Sequence, residues 1–335
     1  MNRLEDRYRR VLRLLPASYR QAWEEDMVAT FLESEQPEDA EEAEFAADHG
    51  RPSWAEVASV VALAVRLRLG GDGAPPRYLV WGETVRRLAL VGLLVQAVAA
   101  LAGIGAWLWS PWVTNLVAPG QAADVQALLG LVWVAAYLCL VTGRWRAARL
   151  FAALALARAV FYFGVDLAAV EGAYGLSRTV GLLLDALPVV ALVAFHRQAP
   201  AVKARPWLVA LPVGVALLTV ALLLTYVSVP ALVDWPSVVC VAVFAAAVGY
   251  LSLPRLGWRN ATVSWSTALA LLALAALVQR VVTLLDYLRL AARTPELDVV
   301  IAIAAGQAVA VLAIAVPLTM LAAKAVRALP PVAAR

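Results

Sequence analysis

The chain has 335 residues, 63% of them hydrophobic and 16% charged, with a mean hydropathy of +0.77 and a formal net charge of +4. Soluble domains carry roughly 45–50% apolar and ~25% charged residues, so this composition excludes a chain folded around a water-soluble core alone. The charge gathers in residues 1–87 and in short loops between apolar runs of about 20 residues, a division that speaks of membrane topology before nucleic acid.

Near the N-terminus, Leu4, Tyr8, Val11, Leu12 and Leu15 recur at the spacing of one helical face, with Arg7, Arg9, Arg10 and Arg13 over much of the remainder. Pro16 ends this helix. Ser18, with Gln21 three residues on, predicts a capping box that opens a second helix, whose apolar face is Tyr19, Trp23, Met27 and Phe31. The first thirty residues lack the apolar stretch of a signal peptide, so the N-terminus is expected to be retained and to stay inside. Glu33, Glu35, Glu38, Asp39, Glu41, Glu42, Glu44 and Asp48 then make residues 33–52 an acidic linker.

A second capping box, Ser53 with Glu56, opens a third helix with Val57, Val60, Val61 and Ala64 inward. Its apolar run is too short to span a bilayer, and Gly70, Gly71, Gly73, Pro75 and Pro76 break it. The soluble part therefore reads as a three-helix cytoplasmic domain over residues 1–70, followed by a juxtamembrane linker over 71–87. Three short helices make a small core, marginal unless it packs on something else. The residues expected to form a partner-binding face are Arg9, Arg10, Arg13, Trp23, Glu24 and Met27. An arginine-rich helix beside an inner leaflet meets lipid headgroups or water more often than DNA, so direct nucleic-acid binding is not expected.

Tyr8-Arg9-Arg10, Leu14-Leu15-Pro16, Tyr19-Arg20, Trp23 to Met27 and Phe31-Leu32, then Pro52 to Glu56 and Arg66-Leu67-Arg68, carry a resemblance. Over the first seventy residues the chain resembles the HAAS-type helical domain of bacterial, often actinobacterial, membrane proteins. That family tends to be encoded beside PadR-like transcription regulators. The resemblance implies a signalling or anti-sigma-like role, and it brings no catalytic residues. The acidic insert departs from the compact form of that domain.

Beyond residue 87, apolar runs predict helices over Leu88–Trp109, Ala122–Val141, Leu150–Val170, Leu176–Phe195, Trp207–Val229, Trp235–Leu253, Val263–Leu285 and Val299–Ala322. The fold class is thus all-α: a polytopic membrane protein with about eight transmembrane helices in a bundle over 88–323, and a cytoplasmic tail over 324–335. Arg144, Arg146, Arg149, Arg197, Lys203, Arg205, Arg255, Arg259, Lys324, Arg327 and Arg335 fall on one side, against Arg178, Arg289 and Arg293 on the other. The positive-inside rule then places both termini in the cytoplasm of an inner membrane. Trp107, Trp109, Trp112 and Trp235 mark the outer interface, and Trp81, Trp145, Trp207 and Trp258 the inner one. Small residues four apart, at Ala99 and Gly103, Ala245 and Gly249, and Ala302, Gly306 and Ala310, suit close helix approach within the chain or at a homodimer seam.

Four ionisable residues fall inside the spans: Arg158, Asp166, Asp185 and Arg280. From the helical rise, Asp166 and Arg280 lie roughly 6–8 Å below the outer surface, Asp185 roughly 14 Å and Arg158 roughly 18 Å. Each carboxylate has an arginine near its own depth. One polar cluster is therefore expected, with Asp166 facing Arg280 and Asp185 facing Arg158, and with Tyr162, Gln279 and Asp286 as further lining. It is read either as a helix-pairing ion network or as an outward-opening ligand or proton cavity.

Cys139 and Cys240 sit in apolar runs, and His49 and His196 are isolated. No nucleotide, metal or nucleophile motif occurs, and the surroundings of Asp166 and Asp185 do not suit an intramembrane aspartyl protease. No catalytic, cofactor or metal residue is assigned. The expected partners are the bilayer, a cytoplasmic regulatory protein and a second copy of the chain. Three functions compete: a membrane-anchored regulator or sensor that binds a transcription regulator or sigma-like factor, a transporter or permease subunit served by a separate ATPase, and an enzyme with lipid-like substrates, for which no motif occurs.

Overall fold

The computed structural model describes residues 3–35, 49–71, 73–114, 128–169, 175–196, 199–228, 235–252, 263–291 and 297–329, and all regular structure among them is helical. The chain divides into two compact units. One comprises Met1–Glu83 with the short segments His196–Ala199 and Ala328–Arg335; the other comprises Thr84–Phe195 and Pro200–Arg327.

The first unit is built on α1 (Arg3–Leu12), α2 (Ala17–Ser34) and α3 (Trp54–Arg68). Leu4, Tyr8, Leu12 and Leu15 meet Val28 and Phe31 of α2 and Val60, Ala64 and Leu67 of α3 in one core. Tyr8 stacks on Phe31 at 4.0 Å between ring centres. Arg9 joins the two N-terminal helices, reaching Glu5 at 2.9 Å, Glu25 at 2.8 Å and Glu24 at 3.7 Å. Arg68 donates to the Leu14 carbonyl at 2.7 Å, which ties the end of α3 to the α1–α2 turn.

Three expectations for this unit are corrected. Ser18 does not cap α2, because the helix already begins at Ala17 behind Pro16, whose backbone adopts the extended cap conformation without a side-chain bond. Trp23 is 52% exposed and Val61 is exposed, with Val28 and Leu67 taking inward places instead. Both shifts follow from helix rotation: the buried stripe of α2 runs through Val28 and Phe31, and Trp23 stands off it. The cap at Ser53 is present, its hydroxyl oxygen accepting from the Glu56 amide at 3.1 Å. Most of the acidic linker, over 36–48, lies outside the described residues.

The helix α3 closes on Gly70, whose φ of +82° is the left-handed conformation that ends helices. The Gly71 amide donates back to the Arg66 carbonyl at 2.8 Å. Pro76 then starts α4 (Pro76–Thr114), where a missing N–H costs nothing.

The second unit holds the rest of α4 with α5 (Leu131–Val141), α6 (Trp145–Ala169), α7 (Gly175–Ala191), α8 (Ala204–Ser228), α9 (Trp235–Ser252), α10 (Val263–Ala291) and α11 (Asp298–Arg327). Among the described residues, six helices are long and apolar enough to cross a membrane: Pro76–Gly105, Trp145–Val165, Gly175–Ala194, Ala204–Ala221, Val263–Leu290 and Asp298–Arg327. Leu131–Val141 and Pro236–Ser252 are shorter apolar helices, and residues 122–127 of the expected second span lie outside the described residues.

Two apolar cores divide this unit. One joins Leu90, Leu93 and Ala97 of α4 to Trp133 and Tyr137 of α5, Ala152 of α6, and Leu192 and Phe195 after α7. The other joins Cys240 and Ala247 of α9, Ala273 of α10, and Val311 and Leu318 of α11. At one end of the helices, Arg87 lies over the Trp265 ring at 4.5 Å and Trp265 stacks on Trp207 at 6.4 Å. The Tyr137 hydroxyl donates to the Trp207 carbonyl at 2.6 Å.

Within the chain, Gly103, Gly249 and Gly306 do not mark where these helices close. A Cβ on Gly103, Gly249 or Gly306 would meet nothing within 4 Å among the described residues. Close approach occurs instead at Gly92, where a Cβ would sit 2.6 Å from Pro188, and at Gly214, where it would sit 2.7 Å from Val98.

Two outcomes are expected in the first unit. A Cβ at Gly82 would lie 1.9 Å from the Leu69 carbonyl, so Gly82→Ala forces backbone apart and is expected to cost about 1–3 kcal/mol, read as a lower thermal midpoint of the full chain. The hydrogen bonds from Arg9 hold the exposed Glu25 carboxyl below its ordinary value, as does the guanidinium charge. Because the folded value is lowered, this stabilisation is complete above the free carboxyl's range near about 4.3 and is lost as pH falls through the folded value. Hydrogen-exchange protection in α1 and α2 should drop in that acid window, and Glu25→Gln should flatten the drop.

Candidate functional site

Several polar groups of the second unit meet α7. The first described turn of this helix starts at Gly175. The Ser177 amide donates to the Asp286 carboxylate of α10 at 3.0 Å. A carboxylate at this end is also favoured by the helix dipole. Gln279, two turns earlier on α10, donates its amide N–H to the Ser177 carbonyl at 3.2 Å. Thr283 lies between them and bonds back to the Gln279 carbonyl at 2.8 Å.

The other end of α7 runs into a 3-10 turn, Leu192–Ala194. Here Arg149 of α6 donates to the carbonyls of Leu192 at 3.1 Å and Phe195 at 2.8 Å, with Val193 at 3.4 Å. A guanidinium at a helix C-terminus satisfies carbonyls that lipid cannot. Its plane lies over Trp145, 4.6 Å from the ring centre.

Between these ends, Asp185 accepts a hydrogen bond from the Gln96 side-chain amide of α4. Gly92, one turn before Gln96, is the point where α4 presses on Pro188.

The expected quartet is thus distributed differently. Asp185 meets Gln96, not Arg158, and among the described residues no ion pair holds Arg158, whose guanidinium lies 5.5 Å from the Tyr162 ring centre. Arg280 is 1% exposed and donates to the Ser237 hydroxyl of α9 at 3.2 Å. The side chain of Asp166, and with it the expected Asp166–Arg280 pair, lies outside the described residues. Of the further lining, Gln279 and Asp286 come together at Ser177, while Tyr162 is under Arg158.

Sequence reading did not single out Gln96, Arg149 or Ser177. Gln96 had a usable signal, being a polar amide inside an apolar run. The apolar run starts at Leu150 and so leaves Arg149 in a basic loop, whereas α6 starts five residues earlier, at Trp145. Nothing local in the sequence marks Ser177, since its bond is an amide contact to a residue 109 positions away.

In the first unit, the six residues expected on one partner face separate. Arg9 and Glu24 are engaged between α1 and α2, and Met27 packs on the core. Arg10, Arg13 and Trp23 point outward. Arg7, Arg10, Val11, Arg51 and Pro52 line an open groove of about 400 Å³, and the contributions of Arg7 and Arg51 were not anticipated. Trp54, at the start of α3, is 88% exposed.

No family model, curated protein or solved structure matches the chain.

Asp286→Leu removes the acceptor at the N-terminus of α7 and is expected to lower stability by about 1–2 kcal/mol, the range for a lost helix cap. Asp286→Asn keeps an acceptor oxygen and should lose less. Thermal unfolding of the full chain in detergent, compared across the two variants, checks the order.

Proposed function

We propose that this chain is a membrane-anchored regulatory or sensor protein whose N-terminal helices bind a transcription regulator or sigma-like factor. In this reading the membrane is the bacterial inner membrane, crossed by eight helices with both termini in the cytoplasm. The two shorter apolar helices are then counted with the six long ones. The asymmetry of Arg and Lys between alternate loops supports the orientation.

The observation that carries the reading is the surface of the first unit. It has its own core, yet leaves Trp23 and Trp54 outside with Arg10 and Arg13. Exposed tryptophans and arginines are the residue types that anchor protein interfaces. The resemblance of the first seventy residues to the HAAS-type domain points to the same class of partner, a PadR-like regulator. Pro188, Pro212 and Pro317 fall inside helices, but among the described residues they do not make the matched pair of broken helices in two halves that a permease would favour.

The test uses the full chain, extracted from its native membrane with a C-terminal tag, beside a variant carrying Trp23→Ala, Arg10→Glu and Arg13→Glu. The expected result is a single DNA-binding regulator that co-purifies with the native chain and is lost from the variant, with both chains equally abundant. Co-purification of an ATPase subunit with both chains, and of no regulator, would replace this reading with the permease one.

A further inference from the structure

Ser177, Gly181 and Asp185 recur every four residues on α7 and so share one face of the helix. Each position on that face meets polar atoms. Ser177 is bonded through its amide to Asp286 and through its carbonyl to Gln279. At Gly181 the missing side chain leaves the Gln279 amide as neighbour, 3.8 Å from where a Cβ would stand. The Gln279 carbonyl oxygen is buried there without a hydrogen-bond partner. Two turns beyond Ser177, about 12 Å along the axis, Asp185 takes its bond from Gln96.

The charged groups on the helices around α7 do not neutralise Asp185. Arg149 of α6 is committed to the carbonyls at the far end of α7, and Arg158 of α6 lies over Tyr162. On α10, Arg280 turns to Ser237 and Asp286 holds the opposite terminus. On α4 the facing group is the neutral Gln96 amide. No described ion pair includes Asp185, which stands near the middle of a helix long and apolar enough to span a bilayer. An unpaired carboxylate at that place costs far more than one neutral hydrogen bond returns. A proton removes the charge and leaves the carboxyl oxygen free to accept from Gln96.

We propose that Asp185 and Gln96 form a proton-binding site within the membrane-crossing part, linked to the N-terminal end of α7 by the Ser177–Gly181 face and Gln279. The ligand is the proton itself, held on the Asp185 carboxyl where Gln96 donates to it. The site stands on the contacts of α7 and is independent of any partner of the first unit.

The experiment uses the full chain in lipid vesicles treated with dicyclohexylcarbodiimide, followed by peptide mass analysis. This reagent adds the O–H of a neutral carboxyl across one C=N bond. The resulting O-acylisourea rearranges to a stable N-acylurea, with no other reactant consumed. The expected result is an adduct at Asp185 at neutral pH, absent after treatment with a water-soluble carbodiimide and absent in Asp185→Asn. Infrared difference spectra should show a protonated-carboxyl stretch that Asp185→Asn removes. Asp185→Asn, which mimics the neutral acid, should be as abundant and as thermally stable as the native chain. Failure to find both the adduct and the infrared band would overturn the proposal, as would loss of folded protein in Asp185→Asn.

Discussion

The Asp286 carboxylate under the Ser177 amide and the Arg149 guanidinium against the Leu192 and Phe195 carbonyls hold opposite ends of the same helix. In water, helix ends are completed by solvent. Away from water each unmatched amide or carbonyl costs several kcal/mol, so the Ser177 amide and the Leu192 and Phe195 carbonyls gain from side chains of neighbouring helices. The two charges also have the signs that the helix dipole favours. Because Asp286 comes from α10 and Arg149 from α6, matching the ends of α7 also brings together helices from the two apolar cores. With Gln96 reaching Asp185 from α4, three different helices supply side chains to α7. Apolar contact alone would leave those cores as separate groups, since lipid packs against Leu and Val as well as protein does.

The first unit is held together chiefly by its own apolar core. Its three helices bury Leu12, Phe31 and Leu67 against one another and close the assembly with Arg9 and Arg68. An exposed ion pair such as Arg9–Glu25 adds little by itself, so the aromatic stack of Tyr8 on Phe31 and the aliphatic core carry the packing. What is left outward, Trp23 and Trp54 with the arginine-lined groove, is surface that the core does not need. That surplus gives the regulatory reading its physical content.

Much of the fold was legible because it rests on short-range patterns. Helical periodicity located Leu4, Tyr8 and Leu12, the Ser53 cap preceded a real helix, and apolar length located the long helices. The places where reading failed are contacts between distant positions. Similar depth pairs Asp185 with Arg158 from height alone. Height does not specify azimuth, and Asp185 faces α4 while Arg158 lies over a tyrosine of its own helix. Within the chain the glycine spacing meets a related limit: it shows that a face is small, and only the neighbour shows whether anything fills it, as Pro188 does at Gly92. Asp286 was noticed as polar lining, but its task at the end of α7 depends on a backbone amide that no side-chain pattern reveals.

The central claim, that α7 is the joint between the two helix groups, rests on the approach of Gly181 to Gln279. The direct measurement is cross-linking in membrane-embedded protein with Gly181→Cys and Gln279→Cys, after replacing Cys139 and Cys240 by alanine, using a short bifunctional thiol reagent. A control pairs native Cys240 with Ala276→Cys, positions that meet at 4.0 Å between the sulfur and the backbone carbonyl. The account expects both pairs to bridge within one chain. Bridging of the control pair alone, in chains that remain folded, would contradict it.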